Sequence, residues 1–244
     1  MEDVDEYLLR SMFKAHSKTS LEFLHLETGT KPIRFIIASR RLNYLQNILK
    51  KPRNELIRRV YEAQKKNPSK GDWIELVKKD LDLIGEELDE ESISAISKNK
   101  FKRYVKKKMD IAVFDYLEGQ KAKHSKVKDI KYVKLETQPY IVSENLTNVE
   151  ICTLFALRSR MTKVKKNFSN QFFNNLHCKL GCSDTDSQEH LLECRYIQDK
   201  LKDKSRLAEA EYSDLFGTVK QQCDIVKIFS EILEIRETLT ETQQ

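Results

Sequence analysis

Residues 178–194 read CKLGCSDTDSQEHLLEC and place Cys178, Cys182, His190 and Cys194 where four side chains can close around one zinc ion. Zinc is held by four N or S ligands in a tetrahedron, and structural sites bring two short ligand pairs together across a loop. The first pair is Cys-x3-Cys across Gly181, whose tolerance of positive φ suits a tight metal-binding turn. The second pair, His190 and Cys194, stands at i and i+4, so on a helix both ligands face one side. A polar stretch rich in Ser and Asp joins the pairs as a loop. A plainer reading buries Cys178 and Cys194 as small apolar groups. Against it, three of the five cysteines and one of the five histidines fall within these seventeen residues. His177, next to Cys178, can support a ligand or simply be a solvated loop residue. Cys152 and Cys223 fall on apolar faces of predicted helices and read as core.

Outward from this cluster, the composition favours helices. The 244 residues include only six Gly and four Pro, with 39% hydrophobic and 34% charged residues. Pro32 opens a helix whose stripe is Ile33, Ile36, Ile37, Leu42, Leu45, Ile48 and Leu49. Pro52 starts another, to about Gln64, with Leu56, Ile57 and Val60 inward. Asp72 caps a third, which Gly85 ends. A short acidic helix near 90–96 precedes the longest one, about 98–123, whose apolar residues include Phe101, Val105, Met109 and Val113. Residues 126–146 lose helical periodicity and carry Pro139, so they read as an extended linker. Thr147 and Glu150 match a capping box, and their helix runs to about Met161. Residues 188–210 and 213–239 read as two terminal helices. The expected fold is mainly α: a helical basic region over 1–125, the linker 126–146, and a zinc-stapled helical unit over 147–244.

The net charge of +6 is unevenly spread. Residues 31–70 hold twelve Lys or Arg against two acids, residues 98–134 hold thirteen against four, and residues 158–179 hold six with no acid. Such segregation suits attraction to phosphate backbones, although solvated helix faces look the same in sequence. Phe168, Phe172 and Phe173 precede the cluster and read as its small core in preference to base-stacking residues. No long apolar run predicts a membrane span, and the acidic start MEDVDEYLLR argues against a signal peptide. Five cysteines suit reduced thiols and an intracellular protein, nuclear or cytoplasmic. No P-loop, glycine-rich dinucleotide loop, nucleophile elbow, zinc-protease helix or paired metal-binding aspartates are visible, so neither catalysis nor a small-molecule substrate is expected. Zinc with all four ligands filled would be structural.

Several blocks in order, LETGTKPIRFIIASRRLNYLQNIL (26–49), ELIRRVYEAQ (55–64), GDWIELVKKDL (71–81), FKRYVKKKM (101–109), HSKVKDIKYVKLETQPYI (124–141) and LFALRSRMTKVKKNF (154–168), lead into the Cys/Cys/His/Cys group. Together they resemble the region downstream of the polymerase core in non-LTR (LINE-like) retrotransposon reverse transcriptases. The resemblance implies a zinc knuckle on Cys178, Cys182, His190 and Cys194, with a spacing between the last two one residue shorter than the family's usual. It also implies a piece that grips RNA or DNA and lacks the endonuclease and polymerase active sites. In that reading Arg40, Arg41, Lys106, Lys107, Lys108, Arg158, Arg160, Lys163, Lys165 and Lys166 contact phosphates, and zinc fixes the loop around Lys179. The competing expectation is a zinc-stapled protein-interaction scaffold whose lysines serve only solubility.

Overall fold

Capping chemistry sets where many of the helices begin. In the computed structural model, which describes residues 2–85, 89–168 and 175–241, the chain forms α1 (Glu2–Met12), α2 (Leu21–Thr28), α3 (Ile33–Leu49), α4 (Leu56–Lys66), α5 (Trp73–Leu83) and α6 (Glu90–Ala95). Then follow α7 (Lys98–Lys121), α8 (Asn148–Arg158), α9 (Gln188–Glu193), α10 (Arg195–Gln198), α11 (Lys204–Ala208) and α12 (Val219–Glu241). Single 3₁₀ turns lie at Pro139–Val142, Lys165–Phe168 and Tyr212–Phe216. Asp72 accepts the Glu75 amide at 2.8 Å and Asp89 the Ser92 amide at 2.7 Å, which satisfies donors that a helix start leaves orphaned. Thr147 and Glu150 close a reciprocal capping box. Among the described residues β pairing is confined to two isolated bridges, Thr28–Thr137 and His177–Thr185. The architecture is mainly α, as composition and periodicity predict.

The chain divides into two compact units that interleave in sequence. One comprises residues 1–5, 29–120 and 132–135; the other comprises 6–28, 121–131 and 136–244. This differs from the division read at 125/126 and 146/147, because side chains distant in sequence pull residues 6–28 and most of 126–146 into the second unit.

In the first unit α3 packs on α4, α5 and α6. The α7 residues Phe101, Val105, Met109, Val113 and Leu117 are all at most 1% exposed. α7 meets α3 through Tyr116, whose ring lies 5.4 Å from that of Phe35 and 4.1 Å under the Arg34 guanidinium. A Lys31–Asp110 ion pair ties the segment entering α3 to α7. Gln46, buried on α3, donates to the carbonyls of Ile93 at 3.1 Å and Ile96 at 2.9 Å, so its amide is not stranded in the core. α4 begins later than Pro52 predicts and turns the other way. Leu56 and Val60 are 75% and 48% exposed, while Arg58 and Tyr61 are buried. The reason is polar pairing. Tyr61 Oη donates to Glu90 at 2.6 Å and Arg58 meets Glu62 at 2.7 Å, and these bonds face the unit where an apolar stripe was expected.

The second unit is assembled on α12, which packs against α8, α9, α10 and the turns at Tyr212–Phe216 and Pro139–Val142. Its core holds Leu154, Leu157, Val226, Phe229 and Ile232 together with Cys178, Cys182 and Cys194. On another face of α8, Phe155 stacks on Phe13 at 4.6 Å and tilts against Phe23 at 5.3 Å. Most of the segment read as a linker, residues 126–131 and 136–146, is part of this unit. Tyr140 is fully buried, its hydroxyl donates to Glu27 at 2.5 Å, and the Gln138 amide donates to the Glu27 carbonyl at 2.8 Å. Where one helix was expected over 188–210 there are three short ones, broken first at Cys194, whose ψ of 112° takes the chain out of helix.

Candidate metal centre and basic grooves

The four ligand atoms of Cys178, Cys182, His190 and Cys194 lie within 4.8 Å of one another, and all four residues are buried. Cys194 Sγ stands 3.9 Å from Cys178 Sγ and 3.6 Å from Cys182 Sγ. A tetrahedral ion with zinc–sulfur bonds of about 2.3 Å requires sulfurs roughly 3.8 Å apart. A disulfide would require about 2.05 Å, and all five cysteines are free. His190 Nε2 is buried without a hydrogen-bond partner, while its Nδ1 lies 3.9 Å from Asp184 Oδ2. An orphaned imidazole nitrogen beside three buried sulfurs is costly unless a cation takes its lone pair. Burial raises the pKa of all three thiols above the ordinary value, and at Cys178 the Leu180 amide pulls the other way. A bound cation reverses that preference by stabilising the thiolates. The cluster can therefore hold a metal ion, and its three sulfurs and one nitrogen suit a soft or borderline one.

Local sequence builds this geometry. The Cys178 amide donates to Asp184 O at 2.9 Å and the Gly181 amide to Cys178 O at 3.1 Å, folding the first pair into a tight turn. Gly181 has φ +92°, and a Cβ there would meet nothing closer than Tyr196 Oη at 3.9 Å, so backbone conformation and not space demands glycine. The Leu180 amide reaches Cys178 Sγ at 3.4 Å. Ser187 caps α9 by accepting the His190 amide at 3.1 Å, which sets the histidine's place in the first turn. Cys194 is the residue just past that helix and not a member of it. It remains one turn from His190, and the side shared by both ligands is kept.

Two residues that sequence reading passed over anchor the loop. Asp186, fully buried, is met by Arg236 of α12 at 2.7 Å and accepts the Lys165 amide at 2.9 Å. Gln188 donates to Leu157 O at 3.0 Å and accepts from Asn167 at 2.8 Å. In sequence both sit in a polar stretch indistinguishable from solvated loop. His177 is exposed and pairs its Nδ1 with Ser183 O at 2.7 Å, so it braces the turn from outside the cluster. Cys223 is buried as core, and Cys152 is half-buried with its thiol 3.7 Å from Met12 O.

The basic residues divide into several environments. On α3, Ile36, Ser39, Arg40 and Asn43 follow i, i+3, i+4, i+7, and on α7 Asn99, Lys102, Arg103 and Lys106 do the same. These two faces and Lys31 line a groove of about 690 Å³ with no carboxylate in its wall. Arg40 and Lys106 are thus brought together, and Lys102, Arg103 and Lys31 join them. Lys107 is exposed on α7 outside this wall, and Lys108 lies 5.8 Å over Tyr104. Arg41 is spent on Asp80 at 3.0 Å. Arg158 is no phosphate contact: it is 4% exposed, paired with the fully buried Glu27 at 2.8 Å, and bonded to Leu215 O at 2.6 Å. Arg160 pairs with Glu189 and stacks 4.6 Å over Tyr212. Lys163 and Lys179 border a more apolar cleft of about 630 Å³ that also takes in Phe13, Cys152 and Leu233. Lys165 is half-buried with its amide on Asp186, and Lys166 is exposed beside Phe168 in a smaller pocket. Phe168 is half-buried in that pocket's wall, and Phe172 and Phe173 lie outside the described residues.

Comparison with protein-family models, with curated proteins and with solved structures returns no match. No helix among the described residues is long and apolar enough to cross a membrane.

Proposed function

We propose that this chain is a zinc-stapled helical module that binds RNA or DNA, akin in descent to the C-terminal region of LINE-like reverse transcriptases, with no catalytic step of its own. The observation that carries the binding reading is the α3/α7 groove. Arg40, Lys102, Arg103 and Lys106 reach it from two helices at matched spacing, with Asn43 and Asn99 between them and no acid in the wall. Cations held on one face with amides among them suit a phosphate backbone, where each neutralised phosphate releases counterions. A set of lysines kept only for solubility has no reason to face one another across a groove, because like charges repel.

The zinc reading rests on the sulfur spacing and the orphaned His190 nitrogen. With four protein ligands the ion leaves no place for a reacting water, so its contribution is to the fold of the second unit.

Fluorescence anisotropy of a labelled structured RNA and of duplex DNA across a salt titration tests the binding reading. The expected result is an affinity that falls linearly in log–log form, with a slope about one unit shallower in each of Arg103→Ala and Lys106→Ala. The double variant Glu27→Leu/Arg158→Met, which removes a buried pair from both sides, should leave the slope unchanged. Absence of binding at low salt, or an equal slope in the groove variants, overturns the assignment.

A further inference from the structure

Beyond the α3/α7 groove, the second unit contains a pocket of about 480 Å³ whose wall combines Lys18, Lys123, His124, Lys126, Lys166 and the ring of Phe168. No carboxylate lines it. Its volume lies within the ~300–1,000 Å³ typical of small-ligand sites. Lys126 crosses the pocket, donating to Asn167 O and lying 5.0 Å from the Phe168 centroid. His16 stands on the same ring at 5.3 Å. Glu22 sits behind the wall, where it accepts from Ser20 at 2.8 Å and lies 3.4 Å from His124.

We propose that this pocket receives the terminal phosphate of a nucleic-acid strand, with the lysines around the phosphate and the adjoining base against Phe168. The crowding of cations is what an anion relieves. Burial, then Lys18, lowers the pKa of Lys126, and burial, then Lys18, Lys126 and Arg10, lowers that of His16. Both groups thus lie in a positive field, and a phosphate would discharge it. A lone face of lysines binds phosphate anywhere along a strand; the half-buried ring beside them adds a stacking platform for one base. A cavity of about 480 Å³ has room for a single nucleotide unit, which suits a strand end more than a run of continuous backbone. The proposal extends the nucleic-acid reading, and the same chemistry is carried by a free mononucleotide.

The test compares the full chain's affinity for one single-stranded oligonucleotide bearing a 5′-phosphate or a 5′-hydroxyl, with adenosine monophosphate as competitor. The expected result is about a tenfold preference for the phosphorylated end, equivalent to ~1.4 kcal/mol. The double variant Lys18→Ala/Lys166→Ala, two exposed side chains whose loss should not disturb folding, abolishes that preference. Phe168→Leu, which keeps the apolar bulk, weakens competition by adenosine monophosphate but not by pyrophosphate. Equal affinity for both ends, with binding otherwise intact, overturns the pocket and leaves the groove standing. Binding of the mononucleotide with no binding of either oligonucleotide overturns both the strand-end assignment and the nucleic-acid reading.

Discussion

Replacing Cys182 with Ser tests the metal centre at the ligand whose removal disturbs the rest of the core least. Cys182 Sγ stands 3.6 Å from Cys194 Sγ, inside the roughly 3.8 Å edge of a zinc–thiolate tetrahedron, and its loop lies at the surface through Ser183 and Asp184. Structural zinc sites contribute about 10–16 kcal/mol in small units. Shared over four ligands, that is roughly 2.5–4 kcal/mol each, or on the order of 10²–10³-fold in affinity. Serine leaves a weak oxygen donor, so the loss should fall in that range. Competition against a chromophoric chelator gives the affinity, and elemental analysis gives the stoichiometry, expected at one zinc per chain in the parent protein.

A second cysteine separates ligation from packing. Cys223 is equally buried and lies in the same core, but outside the cluster. Cys223→Ser should lower the melting temperature through a buried hydroxyl yet keep the metal at full stoichiometry. Cys182→Ser should lower both. A parent protein that binds no zinc refutes the reasoning. So does a Cys182→Ser variant with parental affinity, or a Cys223→Ser variant that loses zinc to the same extent.

Two further outcomes follow from buried charge. Glu27→Gln removes the negative charge that faces buried Arg158, and urea unfolding should show a loss of about 3–5 kcal/mol, whereas Glu27→Leu/Arg158→Met should recover most of it; a single-variant loss under about 1 kcal/mol would exclude a structural ion pair there. Burial, opposed by Arg41, raises Asp80 from 3.8 to about 6. Because the folded value lies above the unfolded one, the stability from this group is complete below about pH 4 and is lost as pH rises through about 6. Carboxyl carbon-13 shifts of Asp80 should therefore show a midpoint near 6, and a midpoint near 4 would contradict the burial argument.

What could be read from sequence was the short-range part. The ligand spacing, the Asp72 cap and the Thr147 capping box depend on residues a few positions apart, and the structure places all of them as their spacing implies. Arg158 was misread because its partner Glu27 lies 131 positions away. In sequence, Arg158 opens a run of bases without an acid and looks like a phosphate contact. Counting cations also hid the α3/α7 groove. The density of bases over residues 98–134 pointed to Lys106, Lys107 and Lys108 alike, yet only the i, i+3, i+4, i+7 set turns toward α3. The same kind of error moved the inward face of α4, where Arg58 and Tyr61 outcompete Leu56 and Val60 because Glu62 pairs with Arg58 and Glu90 accepts from Tyr61.

Within the second unit the metal cluster and the lysine pocket are joined through Asp186. Its carboxylate holds Arg236 and the Lys165 amide, and its carbonyl accepts the Lys166 amide at 3.0 Å. The turn at Lys165–Phe168, which supplies two walls of the pocket, therefore hangs on a residue four positions before His190. Asn167 bonds to Gln188, two positions before that histidine, at 2.8 Å. An ion that fixes Cys178, Cys182, His190 and Cys194 fixes both ends of the stretch carrying Asp186 and Gln188. By the same bonds such an ion would steady Lys166 and Phe168 beside Lys126. On the proposed reading, a zinc ion with no catalytic role would still bear on binding, because the bonds of Asp186 and Gln188 hold the backbone that carries Lys166 and Phe168.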